Sequence, residues 1–110
     1  MEKIIQLEQA QMDELVQILK ISQPATGFSG YKLDLVIISY FNKFYDFEIS
    51  YSKTMNGRRL LDASKTFIPC NPNYISIREI INELIRQNKI KRSLISVEGS
   101  DYKRHVFELI

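Results

Sequence analysis

The sequence predicts an α+β domain: an antiparallel sheet of about five strands with two helices packed on one face, in the order α-β-β-β-α-β-β. Three observations predict it. Apolar residues recur at helical spacing near each end of the chain, alternate in steps of two through its middle, and are broken by turn chemistry at short intervals. Runs of strands without an alternating βαβ pattern favour an antiparallel sheet with helices on one side.

The 110 residues are read as one domain, residues 1–110, because nothing in that length demands a second core. A chain of this size buries roughly two-thirds of its unfolded surface, enough to fold without a disulfide or structural metal. Hydrophobic residues at 45% and charged residues at 25% exclude long disorder. Fifteen basic against thirteen acidic side chains leave a formal charge of +2, too little to attract polyanions generally. A nucleic-acid role therefore requires a local patch. No apolar run approaches the ~20 residues that span a bilayer, and Glu2 with Lys3 does not open a signal peptide. The lone cysteine, Cys70, has neither a disulfide partner nor the companions of a zinc site. These features predict a cytoplasmic protein with no cofactor and no membrane contact. Sixteen isoleucines against three alanines suggest an AT-rich coding genome.

The first helix is expected over residues 8–20, where Met12, Leu15, Val16 and Leu19 stack on one face. Residues 3–7 are short enough to extend it or to form an edge strand, with helix preferred. Residues 22–30 hold Pro24, Gly27 and Gly30 and read as a loop. Residues 33–41 contain the β-branched run Val36, Ile37 and Ile38, which predicts a central strand covered on both faces. In residues 44–52, Tyr45, Phe47, Ile49 and Tyr51 alternate with Asp46, Glu48, Ser50 and Ser52, the pattern of a half-buried strand. Asn42 and Lys43 would join these two as a tight hairpin. Asn56-Gly57 favours a type I′ turn into a third strand, residues 58–67, with a bulge near Asp62 and Ala63 to absorb the break in alternation at Leu60 and Leu61. Pro69 and Pro72 would end this meander.

The second helix, residues 76–88, has the clearest start. Ser76 and Glu79 stand at capping-box spacing, Ile77, Ile80, Ile81, Leu84 and Ile85 form the apolar stripe, and Arg78, Asn82, Glu83 and Arg86 fall mainly opposite. Asn88 suits its C-terminus, with Lys89, Lys91 and Arg92 complementing the dipole. Residues 93–97 and 102–109 then read as a terminal hairpin around Gly99.

The chemistry is sparse, and no catalytic residue is assigned. His105 is the only histidine, no nucleophile elbow surrounds any serine, and nothing in sequence lowers the pKa of Cys70. Asp46 and Glu48 share a strand face, and with Asp34 on the neighbouring strand they are weak candidates for a metal site. Acids on a wet strand face are the ordinary alternative, and no cofactor is expected. Arg58, Arg59, Lys91, Arg92, Lys103 and Arg104 sit beside turns and element ends, where they could form a basic edge that binds nucleic acid. A helix followed by a hairpin also resembles the recognition helix and wing of a winged helix, although a long meander stands where two further helices belong. Tyr45, Tyr51 and Tyr102 are the candidates for a protein-binding surface, since tyrosine buries a large rigid area and keeps a polar handle.

By elimination, the sequence predicts a small non-enzymatic protein-binding module of inhibitor, immunity or regulatory type, encoded by a bacterium or its mobile elements. Its partner would be another protein or a second copy of itself. Nucleic-acid binding is the first alternative and a metal-dependent hydrolase the last.

Overall fold

The structure, a computed structural model, describes residues 8–53, 59–70, 74–96, 99, 101 and 103–110. Residues 3–7, the Asn56-Gly57 turn, Arg58 and Tyr102, each part of an expectation above, lie outside the described residues.

Helix α1 (Gln9–Ser22) buries Met12, Leu15, Val16 and Leu19, the four positions its spacing placed inward. Each such side chain contributes roughly 1.5–3 kcal/mol by leaving water. The Pro24 loop then delivers a two-residue strand, β1 (Phe28–Ser29), which the sequence did not announce. Gly27 makes that strand possible. Its φ of 82° favours glycine, and a Cβ there would lie 2.7 Å from Val106 Cγ1 and 3.1 Å from the Phe107 carbonyl.

Helix α2 (Gly30–Phe41) replaces the expected central strand. Ser29 caps it by accepting from the Lys32 amide at 3.3 Å. Leu33, Ile37, Tyr40 and Phe41 stand at i, i+4, i+7 and i+8, a helical stripe that the β-branched run at 36–38 conceals. Burial on that stripe outweighs the modest β preference of Val and Ile. The hairpin expected at Asn42 and Lys43 is likewise absent: the Asn42 amide donates to Ile38 O at 2.9 Å and closes the helix.

Past α2, residues 45–50 form no ladder with any described residue. The alternation was right about faces: Tyr45, Phe47 and Ile49 pack on the core while Asp46 and Glu48 are exposed. Pairing begins only at β2 (Tyr51–Lys53), antiparallel to β3 (Arg59–Leu61), on either side of Asn56-Gly57. In place of a bulge the chain turns sharply at Asp62, whose carbonyl accepts from the Lys65 and Thr66 amides at 3.1 and 3.0 Å. The expected third strand is thereby split. Its second half, β4 (Phe67–Pro69), pairs with β5 (Tyr74–Ser76) and buries Ile68 and Ile75. Pro69 ends β4 as expected, but the segment after it returns as a strand.

Helix α3 (Ile77–Arg86) follows directly, with both arms of the capping box formed: Glu79 N to Ser76 Oγ at 3.2 Å and Ser76 N to Glu79 Oε2 at 3.0 Å. Asn88 takes φ 58° at its end, and the Lys89 amide reaches back to Leu84 O at 3.0 Å. Strands β6 (Ile90–Ser96) and β7 (Lys103–Leu109) form the terminal hairpin, pairing Ile90 with Leu109 through Ser96 with Lys103.

Strand β1 adds to the far edge of β7, giving a three-stranded antiparallel sheet ordered β1-β7-β6. The class is α+β, with three helices and three small antiparallel sheets among the described residues, where the sequence suggested two helices and one sheet of about five strands. With residues 42–76 set aside, the remaining elements run α1-β1-α2-α3-β6-β7 around the β1-β7-β6 sheet. Among the described residues one buried cluster joins α1, α2 and α3 to Phe28, Ile68, Ile75, Ile90 and Phe107.

Candidate nucleic-acid interface

Helix α3 turns Ile77, Ile80, Ile81 and Leu84 into the core, which leaves Arg78, Asn82 and Arg86 exposed at i, i+4 and i+8 along its outer side. Arg86 is engaged with Glu83, its Nε donating to Oε2 at 2.9 Å and its Nη2 to Oε1. That pair, with the Gln87 amide donating to Oε1 at 2.9 Å, holds the Glu83 carboxyl below the usual carboxylate range. Glu83 therefore stays ionised, and its charge on this face is offset by Arg86.

Directly after α3 comes the hairpin. Residues opposite one another in an antiparallel pair share a face. Lys91, Ile95 and Arg104 lie on one side with Ser93 and Val106, and Arg92, Leu94, Lys103 and His105 lie on the other, beyond Phe107. All of these basic side chains are exposed. The hairpin is thus a ribbon with cations on both faces, following a helix that presents the Arg78 guanidinium and the Asn82 amide, with Arg86 held by Glu83.

Charge distribution sharpens this picture. Residues 76–110 hold seven Lys and Arg against five Asp and Glu, whereas residues 1–75 hold eight of each. The whole formal excess of +2 therefore belongs to α3 and the hairpin. Arg104 also meets Lys32 and the Ser29 cap of α2 around a small cavity of about 160 Å³.

Of the six basic residues proposed from sequence, Lys91, Arg92, Lys103 and Arg104 come together in the hairpin. Arg59 does not join them. It lies on the separate β2–β3 ribbon, with its guanidinium carbon 5.6 Å from the centre of the Tyr51 ring. The residues that sequence reasoning missed as site residues are Arg78 and Asn82. Their signal was present as a four-residue spacing on the polar side of a helix already recognised, and only the following ribbon gives it significance.

The remaining candidates separate. Tyr45 is half-buried and accepts a hydrogen bond from Gln11 Nε2 at 3.1 Å, while Tyr51 is exposed. His105 is exposed on β7, and Cys70 is partly buried just after β4. Asp34 does not stand on a strand beside Asp46 and Glu48, because the segment that carries it is helix α2. Among the described residues no group of three His, Cys, Asp or Glu side chains is placed to hold a metal ion. Asp34 is instead 7% exposed, and its Oδ1 has no hydrogen-bond partner among the described residues. Burial pushes its pKa up to about 6, against the opposing pull of the Arg78 guanidinium on α3.

No helix among the described residues is long and apolar enough to cross a membrane. Helix α3 and the hairpin after it thus place Arg78, Asn82, Lys91, Arg92, Lys103 and Arg104 at exposed positions of consecutive elements. Comparison with family models, curated proteins and solved structures returns no match.

Proposed function

We propose that this chain is a non-enzymatic module that binds double-stranded DNA, with α3 in the major groove and the β6–β7 hairpin against the adjacent phosphates. One observation carries the reading: the exposed Arg78 and Asn82 stripe of α3 leads straight into a ribbon bearing Lys91, Arg92, Lys103 and Arg104. The major groove of B-DNA admits an α-helix, and there arginine pairs with guanine O6 and N7 while asparagine pairs with adenine N6 and N7. The deep, narrow major groove of A-form RNA excludes such a helix, which favours DNA over RNA.

Fluorescence anisotropy with labelled duplex DNA tests this. Binding is expected to fall about a hundredfold between 50 and 200 mM salt if four phosphates are contacted. Arg78→Ala or Asn82→Ala should each weaken binding by roughly 1–3 kcal/mol on the preferred duplex. Salt-insensitive binding, or equal affinity of both variants on every duplex tried, argues against the proposal.

A second reading, a protein-binding module of inhibitor, immunity or regulatory type from a bacterium or its mobile elements, has its own support. The insert between α2 and α3 exposes Tyr51, Phe67 and Tyr74, large side chains that soluble surfaces seldom gather without use. Its test is a partner retained by the wild-type chain and lost with Phe67→Ala and Tyr74→Ala. Retention indifferent to both changes would exclude this surface.

A further inference from the structure

The β4–β5 ribbon has two unlike faces. Ile68 and Ile75 fill the core from one, and Phe67 and Tyr74, diagonal neighbours two residues out of register, stand on the other at 48% and 62% exposure. Over that outer face the segment 45–50 brings Phe47, Asp46 and Glu48, and together these residues line an open cleft of about 610 Å³. Ser50 fixes the segment against the turn before β4, its amide donating to Thr66 Oγ1 at 3.1 Å and its hydroxyl to Lys65 O at 3.0 Å. The volume lies within the range of small-ligand sites, roughly 300–1,000 Å³.

We infer that this cleft binds a monovalent organic cation, an alkylammonium or a guanidinium carried on an apolar stem. Aromatic faces attract cations through their quadrupole, and an apolar stem covers ring surface that is otherwise wet. Neither Asp46 nor Glu48 makes a hydrogen bond or ion pair with a described residue. Among the described residues the cleft also holds Lys65, so two carboxylates face one ammonium and a single negative charge is left over. That excess matches one positive charge. Two carboxylates without a third ligand are a poor cage for a divalent metal, and ring walls suit a soft, weakly hydrated ion better than a hard one. The site is separate from α3 and the hairpin and stands or falls independently of DNA binding.

Such a cation can be free in solution or borne on a lysine or arginine of a protein partner. Both sources are tested on the full chain by NMR titration with tetramethylammonium, with N-acetyl-arginine amide, and with a glycine-flanked arginine peptide. Saturable shifts confined to residues 46–50, 65–67 and 74 are expected with at least one probe. Glu48→Gln and Tyr74→Ala, both at exposed positions, should each weaken that binding about fivefold to tenfold while leaving the melting temperature unchanged. An uncharged isostere of tetramethylammonium should fail to bind. A peptide that binds at least tenfold tighter than blocked arginine identifies a side chain as the source, and equal affinities identify a free cation. No saturable shift with any probe, equal binding by the isostere, or binding indifferent to both variants overturns the assignment.

Discussion

Helices α2 and α3 are of similar length, start from a serine cap and bury an apolar stripe, yet only α3 could be read as a helix from sequence. The difference lies in their outer faces. Helix α3 carries charge on every turn that faces away from the core, so the apolar stripe has a polar background to stand against. Helix α2 shows Leu35 and Val36 where α3 shows Asn82 and Glu83, and its one acid in that stretch, Asp34, is turned inward. A helix is legible when water touches one side of it. When most of its positions are apolar, periodicity disappears and β-branched residues suggest a strand.

The largest expected effect tests whether the two helices share one core. Ile37→Ala on α2 and Leu84→Ala on α3 remove side chains that are each fully buried. Each should cost about 2–5 kcal/mol, measured by denaturant unfolding, with a single cooperative transition for both variants. Separate transitions would break the comparison by making the helices parts of different units.

A smaller effect sharpens it through Asp34. Its pKa in the folded chain, about 6, lies above the ordinary 3.8, so the folded state binds the proton more tightly than the unfolded one. The stability this contributes is fully present below pH 3.8 and is lost as pH rises through about 6. Asp34→Asn should therefore raise stability at pH 7 by on the order of 2 kcal/mol and flatten the pH dependence between those values. A variant that is less stable at neutral pH would show that the charge is used in the fold.

The smallest effect concerns the caps. Ser76→Ala removes one arm of a capping box and should cost about 1 kcal/mol by thermal unfolding. Ser29→Ala, which removes a single bond of 3.3 Å, should cost less. The reverse order would mean that α2 depends on its start more than α3 does.

The same contrast explains what was legible elsewhere. The face of residues 45–50 could be read because alternation reports burial, but the partner strand could not, since alternation is silent about pairing. The β4–β5 ribbon is hidden in sequence because prolines read as the end of a ladder, whereas β4 closes on Pro69 and still pairs antiparallel with β5. The basic residues of the hairpin were found from their places beside turns. Arg59 was grouped with them in error because sequence does not say which ribbon a turn belongs to. The cleft of Asp46, Glu48, Phe67 and Tyr74 was unreadable for a similar reason: its walls come from segments about twenty residues apart that meet only after Asp62 turns the chain.

The central claim, that α3 and its ribbon form a DNA-binding surface, is tested most directly by the slope of log affinity against log salt for duplex DNA. The wild-type chain should give a slope of about −3 to −4, and the double variant Lys103→Ala with Arg104→Ala should give one shallower by about 2. A slope unchanged by removing both cations, or no measurable binding at 50 mM salt, would contradict the account.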